Sequence, residues 1–244
     1  MNKNFQNICF ITGVTSKLGT YLVEHFVNLN YYIIGTYNLN DSQAQEILNK
    51  YQNILLIKTD QNNVKEFTNN CLDAFKIHGF PKIIINNAAV FINDNFNNFT
   101  LENFDYTLNV NLKSCIYLIS KVKDFQENFI VINLLDYFDN KLPTRNFFSY
   151  GISKSLLFSL TKSLAVTLAP NVRINGVALG PVIRHENQDL SKFNDFAIDN
   201  LLKVKLEVNE IIATIDLLVN NHSLTGEVIH LDGGRNLMKN NDYF

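Results

Sequence analysis

A tyrosine and a lysine four residues apart are the side chains of this sequence whose types and spacing best suit acid–base chemistry. On a helix, Tyr150 and Lys154 lie on one face, one turn apart. A fixed ammonium group beside a phenol favours the phenolate and lowers a pKa that is ordinarily about 10. We therefore expect Tyr150 to exchange a proton with a substrate near neutral pH.

The same spacing occurs three times in the chain, so the sequence context has to select the reactive pair. Tyr117 and Lys121 lie in an apolar-periodic helix, which favours packing against a core. Tyr137 and Lys141 follow a predicted strand and precede Pro143, which indicates a loop. The remaining tyrosine opens a long predicted helix after a strand and a loop, where its side chain can face a cleft.

A glycine-containing turn near the N-terminus is a candidate phosphate-binding site. The apolar run Ile8–Thr12 predicts a strand buried on both faces, and helical spacing begins at Leu18. A strand, a glycine turn and a helix place free backbone N–H groups at a helix N-terminus, where they can bind phosphate. The pattern is not G-x-G-x-x-G, so an ordinary strand–helix turn remains the alternative. The candidate contacts are Gly13, Thr15, Lys17, Leu18 and Gly19.

The end of the second predicted strand, Tyr32–Tyr37, bears on the choice of dinucleotide. A carboxylate at this point would accept hydrogen bonds from the adenine-ribose diol, but the first acidic residue is Asp41. Asn38 and Lys17 are instead compatible with a 2′-phosphate. The alternative for Lys17 is a solvated surface lysine.

Predicted strands and helices alternate along the whole chain, without a linker or an internal repeat. This pattern predicts a single α/β domain over residues 1–244, with about seven parallel strands in a doubly wound, Rossmann-type sheet and helices on both faces. Ligands bind such sheets at the carboxyl ends of the strands, where Gly13, Asn87, Asp136 and Gly180 are expected to converge. The polar stretch 184–206 is a candidate substrate lid, and the Asn-rich stretch 93–98 favours a flexible, solvated loop.

Composition excludes several classes of function. Of 244 residues, 46% are hydrophobic and 18% charged, and the net charge of −2 gives no electrostatic case for nucleic acid or an anionic membrane. The three cysteines are predicted to be buried, reduced thiols, and with no signal-type run at the N-terminus they favour a cytoplasmic location. No apolar stretch approaches a membrane span, and the five histidines lack ligand spacing, so we expect no metal.

In combination, these motifs resemble those of the short-chain dehydrogenase/reductase family over nearly the full chain. The matching elements are Thr12-Gly13 with Gly19, Asp60, Asn86-Asn-Ala-Ala89, Asn111, Tyr150 with Lys154, Gly180-Pro181 and Leu231-Asp-Gly-Gly234. The resemblance implies a nicotinamide cofactor, with Tyr150 as the general acid and Lys154 holding the nicotinamide ribose. It also implies that Asn111 supports a water in a proton relay, that Asp60 contacts the adenine and Asn87 the adenine ribose, and that Ala88 and Gly180 line the cofactor.

One departure from the family pattern concerns the substrate. Family members usually carry a serine about a dozen residues before the tyrosine, whereas this chain has Asp136 in that region and no serine. With Phe91 and the basic Lys17, the aspartate resembles the pteridine reductases, including the bacterial dihydromonapterin reductases. Lys17 stands where that group usually has arginine, and the loop to Tyr150 is one residue longer than in the protozoan enzymes. The alternatives are a loop-capping carboxylate at Asp136 and a core or lid phenylalanine at Phe91.

Three functions therefore compete. The first is an NADPH-dependent reductase of a dihydropterin, with Asp136 supplying a proton, Phe91 stacking on the ring and Lys17 near the substrate. The second is a ketone reductase of the 3-oxoacyl thioester type, against which the missing serine counts. The third is a non-catalytic dinucleotide sensor, which would not need Tyr150 or Lys154. The resemblance also implies a homotetramer or homodimer, with helices beginning near Phe104 and Tyr150 at the interfaces.

Overall fold

The computed structural model describes residues 7–137, 146–183 and 189–238, and this part of the chain contains seven parallel strands. In chain order they are β1 (Ile8–Thr12), β2 (Tyr32–Tyr37), β3 (Ile54–Lys58), β4 (Ile83–Asn86), β5 (Phe129–Asp136), β6 (Val172–Leu179) and β7 (Val228–Leu231). They form one open sheet in the order β3-β2-β1-β4-β5-β6-β7. The order reverses between β1 and β4, which is the point where such sheets bind ligands.

Eight α-helices connect these strands in the described residues. They are α1 (Lys17–Asn28), α2 (Asp41–Lys50), α3 (Val64–His78), α4 (Leu101–Leu108), α5 (Ser114–Val122), α6 (Phe148–Leu168), α7 (Leu190–Ala197) and α8 (Val208–Asn220). A π-helical turn, Asn109–Lys113, joins α4 to α5, and a 3-10 turn, Arg235–Leu237, follows β7. The fold class predicted from the sequence is confirmed.

Buried side chains cover both faces of the sheet, because parallel strands in this architecture are packed on each side. Successive residues of β1 alternate between the two layers: Cys9 and Ile11 face one, and Ile8 and Phe10 the other. The first layer is completed by α1 and α8 through Leu22, Phe26, Ile211 and Ile215. The second is completed by α3 and α5 through Phe67, Phe75, Leu118 and Val122.

The Asn-rich stretch 93–98 is a loop with mostly exposed residues, as its composition predicts, but Asp94 within it is buried. Asp94 is only 1% exposed, and its carboxylate accepts hydrogen bonds from the backbone N–H of Ser149, at 3.1 Å, and from the Ser149 hydroxyl. Asp94 thereby satisfies the N-terminus of α6 from a distant part of the chain. The loop fixes the start of the helix that carries Tyr150.

The structure also describes the candidate lid, the three cysteines and the helices that bear on a membrane span. Of the candidate lid 184–206, residues 184–188 lie outside the described part, and α7 occupies Leu190–Ala197. Cys9, Cys71 and Cys115 are free and buried, and burial raises the pKa of Cys115 to about 11. Among the described residues, no helix combines the length and apolarity needed to cross a bilayer.

Candidate active site

Tyr150 and Asp136 meet at the carboxyl edge of the sheet. Strand β5 runs two residues further than the sequence predicts, so Asp136 is its last residue and not part of a loop. Helix α6 begins at Phe148, so Tyr150 is its third residue and lies inside the first turn. The Tyr150 hydroxyl donates a hydrogen bond of 2.9 Å to Oδ2 of Asp136. A carboxyl group therefore touches the candidate acid directly.

The electrostatics of Tyr150 differ from the sequence-based expectation. Burial, and then the charge and the hydrogen bond of Asp136, raise the pKa of Tyr150 well above its ordinary value of 10.0. The Lys154 ammonium donates at 2.7 Å to the carbonyl of Leu134 and lies 5.7 Å from the centroid of the Tyr150 ring. Burial lowers the pKa of Lys154. The predicted lowering of the Tyr150 pKa by Lys154 is therefore wrong. Desolvation and the neighbouring Asp136 carboxylate raise that pKa instead.

Asn111 occupies the π-helical turn and connects three segments of the site. Its Oδ1 accepts from the backbone N–H of Val90 at 2.8 Å, and its Nδ2 donates to the Val90 carbonyl and to Oγ of Ser153, both at 3.0 Å. Ser153 in turn donates to the backbone carbonyl of Tyr150. Both amide hydrogens of Asn111 already form hydrogen bonds. The predicted water would therefore have to bind to its side-chain oxygen or to its backbone.

The glycine turn after β1 has the shape of a phosphate cradle. Gly13 has a φ of +67°, and a Cβ there would lie 3.0 Å from the Cα and Cβ of Ala88. A Cβ on Gly19 would lie 2.3 Å from the Gly13 carbonyl oxygen, so no side chain fits between the helix and the turn. Ser16 caps α1 by accepting from the Gly19 N–H at 3.0 Å. The turn therefore leaves its backbone accessible to a ligand at the helix N-terminus.

The other predicted contacts in the turn, Leu18, Thr15 and Lys17, differ in how exposed they are. The side chain of Leu18 is 6% exposed and packs in the core, so only its backbone can contact a ligand. Thr15 is half-buried at the turn. Lys17 is exposed at the first position of α1, and none of the ion pairs found among the described residues involves it. Its ammonium group is available to an anion.

Asn87 fastens the end of β4 to the glycine turn. Its Nδ2 donates to the carbonyls of Thr12 at 2.7 Å and Gly13 at 3.0 Å. The Thr12 hydroxyl accepts from the backbone N–H groups of Asn87 and Ala88. The Asn87 amide nitrogen thus joins the end of β4 to the glycine turn. The predicted contact with an adenine ribose would be made by the amide oxygen.

Strand β2 ends without a carboxylate, and the next acidic residue, Asp41, is the first residue of α2. Asp41 forms a 2.6 Å ion pair with Lys58 at the end of β3. Asn38 is half-buried directly after β2. Asp60 accepts from the Asn62 N–H at 2.9 Å and so shapes the turn that leads into α3. These positions are compatible with the adenine end of a dinucleotide and with a 2′-phosphate near Lys17.

Gly180 lies directly after β6, at the carboxyl edge of the sheet. A Cβ on Gly180 would lie 3.0 Å from the Cα of Asp232, and its N–H donates to the Leu231 carbonyl at 2.8 Å. The glycine therefore lets the segments after β6 and β7 approach each other. Its predicted contact with a cofactor stays a prediction.

The aromatic side chains beside Tyr150 form a short stack. Phe91 is 43% exposed, stacks on Phe147 with ring centroids 4.1 Å apart, and meets Tyr150 edge-on at 4.5 Å. Phe91 is thus neither a core residue nor remote from the site. Sequence reasoning missed Phe147, because its only signal is its position three residues before Tyr150, and the chain has 19 phenylalanines.

Comparison with known proteins defines the class that this fold and site belong to. The family model described as enoyl-(acyl carrier protein) reductase matches residues 13–236. The chain belongs to the short-chain dehydrogenase/reductase family and is an oxidoreductase of that type. The resemblance read from the sequence motifs is confirmed.

Individual relatives divide between two activities. The chain is 30% identical to the 3-oxoacyl-[acyl-carrier-protein] reductase FabG of Buchnera aphidicola, over 95% of this chain and 98% of the relative. It is 23% identical to a dihydromonapterin reductase of Escherichia coli, over 93% and 95% of the two chains. Among solved structures, FolM alternative dihydrofolate reductase 1 of Brucella suis in complex with NADP has a TM-score of 0.86 and 26% identity over 96% of each chain.

Proposed function

We propose that this enzyme is an NADPH-dependent reductase that converts a dihydropterin into the tetrahydropterin. The observation that carries the proposal is the 2.9 Å hydrogen bond between the Tyr150 hydroxyl and the Asp136 carboxylate. A serine in this region would donate a hydrogen bond to a carbonyl oxygen. A carboxyl group can instead hold and pass on the proton that a ring nitrogen requires.

The residues present fit a phosphorylated dinucleotide. The turn formed by Gly13, Ala88 and Gly19 packs too closely for a Cβ at either glycine, and its backbone lies at the N-terminus of α1, where a phosphate can bind. Lys17 would pair with a 2′-phosphate, and the ion pair of Asp41 with Lys58 weakens the repulsion between that carboxylate and the phosphate. NADPH, when bound, supplies the hydride. The NADP complex of the FolM relative supports this assignment.

Tyr150 and Asp136 together supply the proton. Reduction of a C=N bond in a dihydropterin adds a hydride to carbon and a proton to nitrogen. Burial and Asp136 raise the pKa of Tyr150, so the phenol is protonated at neutral pH and holds a proton to donate, although it is a weaker acid than a free phenol. After the phenol has given up its proton, the Asp136 carboxylate can take up a proton from solvent and pass it to the phenol through the hydrogen bond that joins them.

The exposed ring of Phe91 would bind the flat pterin. Nearly half of this side chain is accessible, and it lies edge-on to Tyr150 at 4.5 Å. Stacking of two aromatic rings contributes about 0.5–1.5 kcal/mol beyond the area that it buries. A substrate ring on Phe91 would therefore be held beside the proton donor.

The second candidate is reduction of a 3-oxoacyl thioester, because the FabG relative is 30% identical over nearly the whole chain. Ketone reduction develops negative charge on the carbonyl oxygen, and the site must stabilise it. While it accepts the hydrogen bond of the Tyr150 hydroxyl, the Asp136 carboxylate would repel that charge, whereas it would favour a ring nitrogen that has taken up a proton. The site therefore supports the pterin better than the ketone.

A homotetramer or homodimer is the assembly that we propose, with α4, α5 and α6 at the interfaces. Exposed apolar side chains on α6 support it: Val166 is 83% and Leu156 45% exposed. Light scattering after size-exclusion chromatography tests it, and a monomer at micromolar concentration would contradict it.

The role of Asp136 is tested by Asp136→Asn, which keeps the shape of the side chain and removes its ability to carry a proton. We expect dihydropterin turnover to fall by about 10²–10⁴, the range for loss of a positioned proton-transfer group, with NADPH affinity retained. Asp73→Asn, which changes an exposed carboxylate on α3, is the matched control. Dihydropterin turnover by Asp136→Asn at the wild-type rate would show that the carboxyl group takes no part.

A further inference from the structure

Arg235 is a fully buried cation that contacts two aromatic rings. It begins the 3-10 turn after β7 and has 0% exposure. Its guanidinium carbon lies 4.1 Å from the ring centroid of Phe196 in α7 and 5.1 Å from that of Tyr137, directly after β5. Cation–π contacts of this kind gain strength when they are desolvated. The guanidinium therefore bridges α7 and the catalytic end of β5.

Polar contacts hold the same arginine against the end of α7. Its Nη1 donates to the backbone carbonyl of Phe196 at 2.6 Å, and its Nη2 lies 3.8 Å from Oδ2 of Asp199. A cation at a helix C-terminus also interacts favourably with the helix dipole. The turn that carries the arginine is itself fixed, because Asp232 accepts from the N–H groups of Gly234 and Asn236.

The turn after α7 is docked on the same region of the chain. The N–H of Leu202 donates to the Gly233 carbonyl at 3.1 Å. A Cβ on Gly233 would lie 2.3 Å from Oδ1 of Asn200, so the two turns are in close contact. The C-terminal end of α7 is therefore anchored, and Arg235 is the part of that anchor that reaches β5.

Tyr137 connects the anchor to the candidate catalytic pair. It follows Asp136 in the chain, and its backbone N–H donates to the Leu179 carbonyl at 3.1 Å. Its phenol is close enough to Tyr150 to contribute to the raised pKa of that residue. A shift of the Tyr137 ring would move the backbone that carries Asp136.

We infer that Arg235 is a positioning residue for the substrate: it fixes α7 and Tyr137 to each other and so sets the substrate-side geometry beside Asp136. The inference rests on the proposed function for its substrate, a dihydropterin. Among the described residues, the Arg235 guanidinium contacts Phe196, Asp199 and Tyr137, which belong to α7, the turn after it and the end of β5. Its loss should impair substrate binding more than cofactor binding.

The test compares Arg235→Met and Arg235→Lys with Arg173→Met. Arg173 is the matched control, because its guanidinium donates to carbonyls at the end of α8, including Leu218 and Val219, and contacts no site residue. We expect Arg235→Met to raise the KM for dihydropterin about tenfold or more, as misplaced positioning groups do, with the NADPH Kd nearly unchanged. Arg235→Lys should recover part of that loss, and Arg173→Met should lower Tm without changing KM.

Phe196→Leu provides a second route if Arg235→Met fails to fold, since it removes one ring and leaves the cation. Phe196→Leu should also raise the KM for the substrate. In the double variant with Arg235→Met, the increase in KM should be smaller than the product of the two single increases, because residues in contact are coupled. An unchanged KM in both single variants, or equal losses in substrate and cofactor binding, would overturn the inference. The comparison uses whichever substrate the wild type reduces, so absence of pterin turnover would reject the proposed function without deciding the role of Arg235.

Discussion

At the scale of single residues, the site is defined by a phenol whose hydroxyl donates to a carboxylate. Spacing and sequence context together selected Tyr150 and Lys154 as candidates, but the spacing predicted the wrong direction for the pKa of the tyrosine. Spacing places a cation one turn away, whereas the pKa depends on burial and on which group touches the hydroxyl. Here that group is Asp136, and it comes from a strand 14 residues earlier in the chain.

Removal of the Tyr150 hydroxyl tests the acid directly. Tyr150→Phe should lower turnover by about 10²–10⁴, the usual range for a positioned general acid, because the ring keeps its packing while the proton is lost. NADPH binding, measured by fluorescence titration, should be largely retained. Tyr117→Phe, which removes the hydroxyl of a tyrosine on α5 that also has a lysine four residues later, is the control. A Tyr150→Phe enzyme with wild-type turnover would exclude Tyr150 as the acid.

At the scale of elements, sequence patterns predicted the bodies of strands and helices better than their junctions. The bounds of β1, β2 and β3 agree with prediction at both ends, because short apolar runs end abruptly at polar or turn residues. The end of β5 and the start of α6 were each misplaced by two residues, and both carry site residues. The start of α6 depends on Asp94, more than 50 residues away, which local patterns do not include.

We predict that the contact between Asp94 and the start of α6 stabilises the folded protein. Asp94→Ala removes the acceptor of the Ser149 N–H and hydroxyl and leaves both buried groups unpaired. The free energy of unfolding should fall by about 1–3 kcal/mol, the cost of a lost cap and of an unsatisfied buried donor. Urea denaturation measures the change, with Asp73→Ala at an exposed position of α3 as control. Equal stability of the two variants would refute the capping role.

The glycine turn and the start of α1 carry the prediction for cofactor choice. Lys17 is exposed at the first position of α1 and would pair with a 2′-phosphate, which only NADPH carries. Lys17→Ala should weaken NADPH binding about tenfold, because a charge-assisted contact is lost, and leave NADH binding nearly unchanged. Lys162→Ala, an exposed lysine of α6, is the control in calorimetry. Equal affinity of the wild type for both cofactors would contradict the assignment.

At the scale of the whole molecule, the alternation of strands and helices predicted the sheet and the edge at which the site assembles. Gly13, Asn87, Asp136 and Gly180 do lie at the carboxyl ends of their strands. What could not be predicted depends on contacts between distant segments. Phe147 becomes a site residue by stacking on a phenylalanine 56 positions earlier, and Arg235 by bridging two elements that the sequence does not connect.

Substrate choice is a property of the enzyme as a whole. The most direct measurement is kcat/KM of the purified wild type for NADPH oxidation, with dihydropterins, including dihydromonapterin and dihydrobiopterin, and with a 3-oxoacyl thioester. A carboxyl group in contact with Tyr150 and an exposed Phe91 predict efficient turnover of at least one dihydropterin and little of the thioester. Efficient turnover of the thioester, with no turnover of any dihydropterin, would contradict the account and leave Asp136 a structural substitution.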